Sequence, residues 1–186
     1  LAVILQDELG NRYWHRAVTL EGDVAEYDGD GKTIIGGQVL QIVKVVRELH
    51  LRRVSIETNG IGGFAPAVLK AALKQARIFD CGVQALTSTV NKNKRILEGF
   101  EAPLKSGMLW AHVSVLDGPA RAQMRDWNAA IADQEDDHLD AAAGAMEEAP
   151  ERVGREERSG HDLKPAYRDR DDWRPETGVH EVELES

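Results

Sequence analysis

Val54-Ser55-Ile56-Glu57-Thr58-Asn59-Gly60 is the stretch on which the fold turns. Val54 and Ile56 are β-branched and alternate with Ser55 and Glu57, the period-2 pattern of a strand. Asn59-Gly60-Ile61-Gly62-Gly63 then supplies residues tolerant of positive φ and ends any strand. A carboxylate at the C-terminal tip of a strand, beside a glycine-rich loop, stands where open α/β sheets bind ligands. Taken alone, Glu57 is better explained as a solvated loop acid. A second acidic cluster, Asp136-Asp137-His138-Leu139-Asp140, raises its interest.

Outward from that strand, helical and strand periods alternate. Val39, Ile42, Val43, Val46 and Leu49 form a stripe that predicts a helix over 38–49. After the glycine loop, 64–78 reads as a second helix with Val68, Leu69, Leu73 and Ala76 inward and Pro66 in its first turn. Residues 81–86 read as a strand, and 91–101 as a helix with Ile96, Leu97 and Phe100 on its apolar side. A strand over 108–115 and a short helix over 118–127 follow. The last regular element is a helix over 136–148, with Leu139, Ala142, Ala143 and Met146 at helical spacing before Pro150 stops it. At the other end, strands over 1–6 and 12–20 flank the turn residues Asp7–Asn11 and make a hairpin. Two antiparallel strands do not make a sheet, so a further partner strand is expected upstream of Leu1. The fold class expected is α/β: a mixed sheet, antiparallel hairpin plus parallel strands, flanked by helices.

Asp28-Gly29-Asp30-Gly31-Lys32-Thr33 imitates two ligand loops. A phosphate loop needs a glycine five residues before Gly31, where Glu26 stands. A calcium loop needs a third acid and a closing glutamate, and both are absent. The segment over 23–32 reads as a polar connection into the first helix.

Composition narrows the function classes. With 186 residues the chain can build one ordinary core. A net charge of −9 argues against unspecific adhesion to nucleic acid. The acidity is uneven, however. Between Arg52 and Arg95, eight basic residues face two acids, Glu57 and Asp80. A basic band close to a lone strand-end carboxylate suits a polyanion lying over an acidic centre. The single cysteine, Cys81, excludes a disulfide framework and a cysteine zinc cage. No apolar run reaches the length of a membrane span. Residues 151–186 are rich in mixed charge and poor in apolar side chains, which predicts a charged tail suited to docking.

In a helix, Asp140 shares a face with both Asp136 and Asp137. Acid preference for a helix N-terminus explains part of this cluster. It explains less well why Asp140 interrupts the apolar stripe, because a buried acid needs a partner or a cation. Mg²⁺ or Mn²⁺ would serve, and two such ions can divide the work of phosphodiester hydrolysis. Thr87–Asn93, with Lys92, Lys94 and Arg95, would suit phosphate oxygens; a solvated loop and helix start explains the same residues equally well. His138 reads as a surface residue or a support to the acids, and His112 as structural on a strand. Trp14, Trp110 and Trp127 read as core or edge packing rather than base-stacking platforms.

Glu57-Thr58-Asn59-Gly60 at a strand end, then Asp136-Asp137-x-x-Asp140-Ala141 in an alanine-rich helix, resembles the nuclease domain of the large terminase subunits of tailed bacteriophages. The likeness spans residues 1–148 in order. It implies an RNase H-like nuclease domain over 1–150, a tail over 151–186, and cutting of concatemeric double-stranded DNA with two Mg²⁺ or Mn²⁺ ions. By position, Glu57 and Asp137 match the family's second and last acids, with Asp136 and Asp140 able to share the metal. Lys92, Lys94, Arg95 and Asn59 would touch DNA. The family's first aspartate, on its first strand, has no counterpart here, so the resemblance implies an acid preceding Leu1. It further implies an N-terminal ATPase domain, a small terminase subunit and a portal or procapsid as partners, in the cytoplasm of an infected bacterium. Another RNase H-like nuclease, such as a junction resolvase, and a non-catalytic interaction domain are the competing readings.

Overall fold

The computed structural model describes residues 1–58, 63–131 and 133–148. Strands β1 (Ala2–Gln6) and β2 (Arg12–Ala17) form the expected antiparallel hairpin. Asp7 closes its turn by accepting from the backbone N–H groups of Leu9 and Asn11 and from the Tyr13 hydroxyl. The polar connection is not a plain loop, since it folds into a miniature hairpin of β3 (Glu26–Tyr27) and β4 (Ile34–Gly36). Strands of two and three residues are too short to leave a period in the sequence.

Helix α1 (Gln38–Leu49) follows, then β5 (Arg53–Glu57), α2 (Ala65–Gln75) and β6 (Gly82–Leu86). β5 and β6 pair in parallel, with Glu57 opposite Leu86 at the tip. Their apolar residues pack with α1 and α2 around Val46, Val54, Leu69 and Leu73. Helix α3 (Lys92–Lys105) is longer than its period predicts and runs through Pro103. Leu97 faces outward, while Arg95, Ile96, Gly99 and Phe100 are buried.

The strand expected over 108–115 stops early. β7 (Leu109–Ala111) pairs parallel with β2, and the chain then turns into α4 (Val113–Leu116) and α5 (Pro119–Asp126). His112 is therefore the N-cap of α4 rather than a strand residue, and its ring accepts from the Ser114 N–H. Helix α6 (Asp137–Glu147) closes the order. It buries Leu139, Ala142, Ala143 and Met146, the stripe read from the sequence, against Trp14, Ile96 and Phe100. Trp14 is fully buried, whereas Trp110 is exposed on β7.

The architecture is thus mixed α/β, with antiparallel and parallel pairings and helices packed upon them. Among the described residues, no strand pairs with the outer edge of β1 or with the outer edge of β5. A cleft of about 560 Å³ runs beside both edges, bounded by Leu1–Ile4 and Arg53–Ser55 and by Ala141 and Gly144 of α6. No helix among the described residues is long and apolar enough to cross a membrane. The tail over 151–186 lies outside the described residues.

Candidate functional site

Glu57, Asp137 and Asp140 all line that cleft, together with Arg95. They reach it from three elements: Glu57 from the last position of β5, Arg95 from the first turns of α3, and both aspartates from the first turn of α6. The close approach of α3 to α6 sets the geometry. Gly99, one turn beyond Arg95, faces Ala143, three residues beyond Asp140. A Cβ at Gly99 would lie 2.9 Å from the Ala143 Cβ and 3.0 Å from its Cα, so only glycine lets the helices meet at this separation.

Arg95 is the hub. Its side chain is 7% exposed. Nε donates to Asp140 Oδ1 at 2.9 Å, and Nη2 donates to the same oxygen at 2.5 Å and to Glu57 Oε2 at 3.0 Å. Burial works against the guanidinium charge, but the hydrogen bonds to Asp140 and then Glu57 outweigh it, and the Arg95 pKa rises above its ordinary value. A cation in this place answers the question that the Asp140 position raises: the acid interrupting the apolar stripe has a charged partner.

The other half of the cluster is held by Lys92. Its Nζ lies 2.5 Å from Asp136 Oδ1 and 3.2 Å from Asp137 Oδ1. The two aspartates differ sharply, for the Asp136 side chain is 5% exposed and that of Asp137 94%. Asp136 is the N-cap residue of α6 but makes no side-chain cap; Gln123 of α5 instead accepts from the His138 N–H. Simple N-terminal acid preference therefore does not explain Asp136. Nor does the helix dipole explain α3, which carries Lys92, Lys94 and Arg95 in its first turns, the end that disfavours cations. The acids facing them offset that cost.

His138 is buried rather than on the surface, and its Nε2 lies 3.2 Å from the Thr19 hydroxyl. Burial is the main reason its pKa falls below the usual histidine value, with Asp137 opposing the shift. Through that contact it ties the start of α6 to Thr19.

Of the residues expected to meet DNA, Lys92 and Arg95 face the acids, and Lys94 lies 3.7 Å from Glu98 on the surface. Asn59 lies outside the described residues. Arg52 pairs with Asp80 and Arg53 with Glu148. Lys70 and Lys74 of α2 and the following Arg77 have no ion pair among the described residues, and all three are exposed. Lys70 and Lys74, four apart on α2, share one face, and Arg77 follows the helix in a left-handed turn. Gly99 and the Lys92–Asp136 pair escaped sequence reasoning, although a glycine inside an amphipathic helix was a signal for close packing.

Two carboxylates from different elements, Glu57 and Asp140, converge on the Arg95 guanidinium, and carboxylate oxygens are the donors that hard divalent ions take. Among the described residues, no group of three or more metal-ligating side chains gathers there. No protein-family model matches the chain, and no curated protein gives a significant match.

Proposed function

We propose that the protein is a divalent-metal-dependent DNA endonuclease domain of RNase H-like type, as in the large terminase subunits it resembles. The observation that carries the reading is the convergence of Glu57, from a strand tip, and Asp140, from a helix far along the chain, on one cation within a cleft. Bound Mg²⁺ or Mn²⁺ would supply an activated water and stabilise the leaving oxygen. Glu57 and Asp140 would hold an ion, with Asp137 exposed at the rim to share it. Asp136, buried against Lys92, braces the start of α6. Among the described residues no strand covers the β1 and β5 edges beside the cleft, which leaves room for the further acid that the resemblance implies.

The phosphate backbone would lie along Lys94 and the exposed Lys70, Lys74 and Arg77, basic groups not committed to the acidic cluster. Cutting would show little sequence preference, because phosphate contacts carry no base information. Its DNA would be double-stranded and concatemeric, and by the same resemblance it would act beside an ATPase domain, a small terminase subunit and a portal, in the cytoplasm of an infected bacterium.

One observation favours a second reading: each acid of the cluster already has a basic partner from α3. An interaction domain with no chemistry would use Arg95 only as a buried staple. Plasmid digestion separates the two readings. The chain, and a version extended upstream of Leu1, would be assayed with Mn²⁺, Mg²⁺ or EDTA beside Glu57→Ala, Asp137→Ala and Asp140→Ala. Metal-dependent nicking lost in Glu57→Ala and Asp140→Ala is expected. An extended protein that cuts nothing and gains no melting temperature from Mn²⁺ would sink the nuclease reading.

A further inference from the structure

We infer that Arg95 is a displaceable counter-cation: it occupies the carboxylate oxygens of Glu57 and Asp140 until a divalent ion takes them, and then swings out to grip the DNA backbone. The inference rests on the nuclease reading and adds a regulation of the same site. Asp140 Oδ1 and Glu57 Oε2, the atoms that converge on the site, are the atoms to which Arg95 donates. A guanidinium and a divalent ion cannot both stand in contact with them, since each would repel the other across a few ångströms in a poorly solvated place. Loading through these two oxygens therefore requires Arg95 to leave.

Its position allows that exit. Arg95 lies in the first turns of α3, near the N-cap Asn91, with Lys92 and Lys94 on the same turn. The arginine side chain has staggered rotamers other than the one that reaches Glu57 and Asp140, so the exit is a change of rotamer. Once released, its planar fork offers paired donors that match a phosphate, a task that a lysine would perform less well. Metal uptake and backbone binding are thereby coupled: each favours the conformer that the other needs. Before loading, the pairing lowers the apparent metal affinity by the fraction of molecules in which Arg95 is already displaced.

The test begins in the unmutated protein. With ¹⁵N labelling, the Arg95 Nε–H resonance is expected to start at a hydrogen-bonded position. It should move to that of solvent-exposed arginines as Mg²⁺ shifts the backbone amides of Glu57 and Asp140. Mn²⁺ affinity, read from the loss of the free-ion electron paramagnetic resonance signal, should be about tenfold tighter in Arg95→Gln, equivalent to ~1.4 kcal/mol. Arg95→Lys should fall between the two. Amides of Glu57 and Asp140 that respond to Mg²⁺ while the Arg95 resonance stays in place would overturn the displacement and leave the nuclease reading standing. So would Arg95→Gln binding Mn²⁺ no more tightly than the parent. Absence of Mn²⁺ uptake by both proteins would remove the metal site itself, and the displacement with it.

Discussion

Two acidic regions of this molecule look alike in sequence and behave differently in structure. In the loop between β3 and β4, Asp28 accepts from the backbone N–H groups of Lys32 and Thr33, within five residues of itself. At the start of α6, Asp140 and Asp136 take their partners from α3, 45 and 44 residues away in sequence. Local backbone donors make a turn, and they leave the acid nothing further to do. A remote, buried cation makes a junction between elements, which is where a change of partner has consequences. The identity of the partner, rather than the density of acids, separates a turn from a site.

The largest expected effect tests that distinction directly. Arg95→Leu removes the cation but leaves Glu57 and Asp140 facing each other in the cleft. Breaking a buried pair costs ~3–5 kcal/mol, and the partial exposure of Glu57 places this case at the lower end, about 3 kcal/mol. Urea unfolding should report it as a lower midpoint with an unchanged slope. A loss below ~1 kcal/mol would mean that the ion pairs are solvated as in the loop.

Next in size is the helix contact that brings the charges together. Gly99→Ala places a Cβ against Ala143 and should cost ~1–3 kcal/mol through overpacking. Ala143→Gly in the same chain should recover part of that loss, giving a coupling of ~0.5–1.5 kcal/mol in a double-mutant cycle. Additive effects would show that α3 and α6 do not meet at these residues.

The fold was legible wherever one face of an element is buried. The stripe in α6, the α1 boundaries and the alternation around Val54 follow directly from the periods of buried side chains. It was illegible where short-range geometry decides. The two- and three-residue strands β3 and β4 carry no period, and the end of β7 is set by the turn into α4, capped through His112. At the site, periodicity showed that Asp140 faces inward and requires a partner. It could not show that the partner is Arg95, because that pairing depends on how two helices dock. The same limit hid that Lys92 and Arg95, read as phosphate ligands, face acids in this structure.

A finer division falls within the α6 cluster. Lys92 lies near both Asp136 and Asp137, but only Asp136 is buried. Coupling measured by double-mutant cycles should be ~1 kcal/mol or more for Lys92 with Asp136, and ~0.5 kcal/mol or less for Lys92 with Asp137. Equal couplings would assign both aspartates to the solvated class.

The smallest effect concerns pH. The folded pKa of His138 lies below its unfolded value of about 6.5. In that window the unfolded chain binds more protons, so stability is complete above the unfolded pKa and falls as the pH drops toward the folded one. His138→Gln keeps a polar group near Thr19 and removes the titration. The melting temperature of the parent should therefore fall more steeply than that of the variant below about pH 6.5, and the two slopes should coincide at neutral pH. Asp28→Asn supplies the matching control in the loop. Its carboxylate, held near a pKa of about 2 first by its bond with Asp30 and then by Thr33, stays charged throughout that window. The loop substitution should leave the slope unchanged, and it should leave Mn²⁺ affinity unchanged as well. A loop variant that altered either would erase the contrast, because an acid satisfied by its own turn would then be acting at a distance.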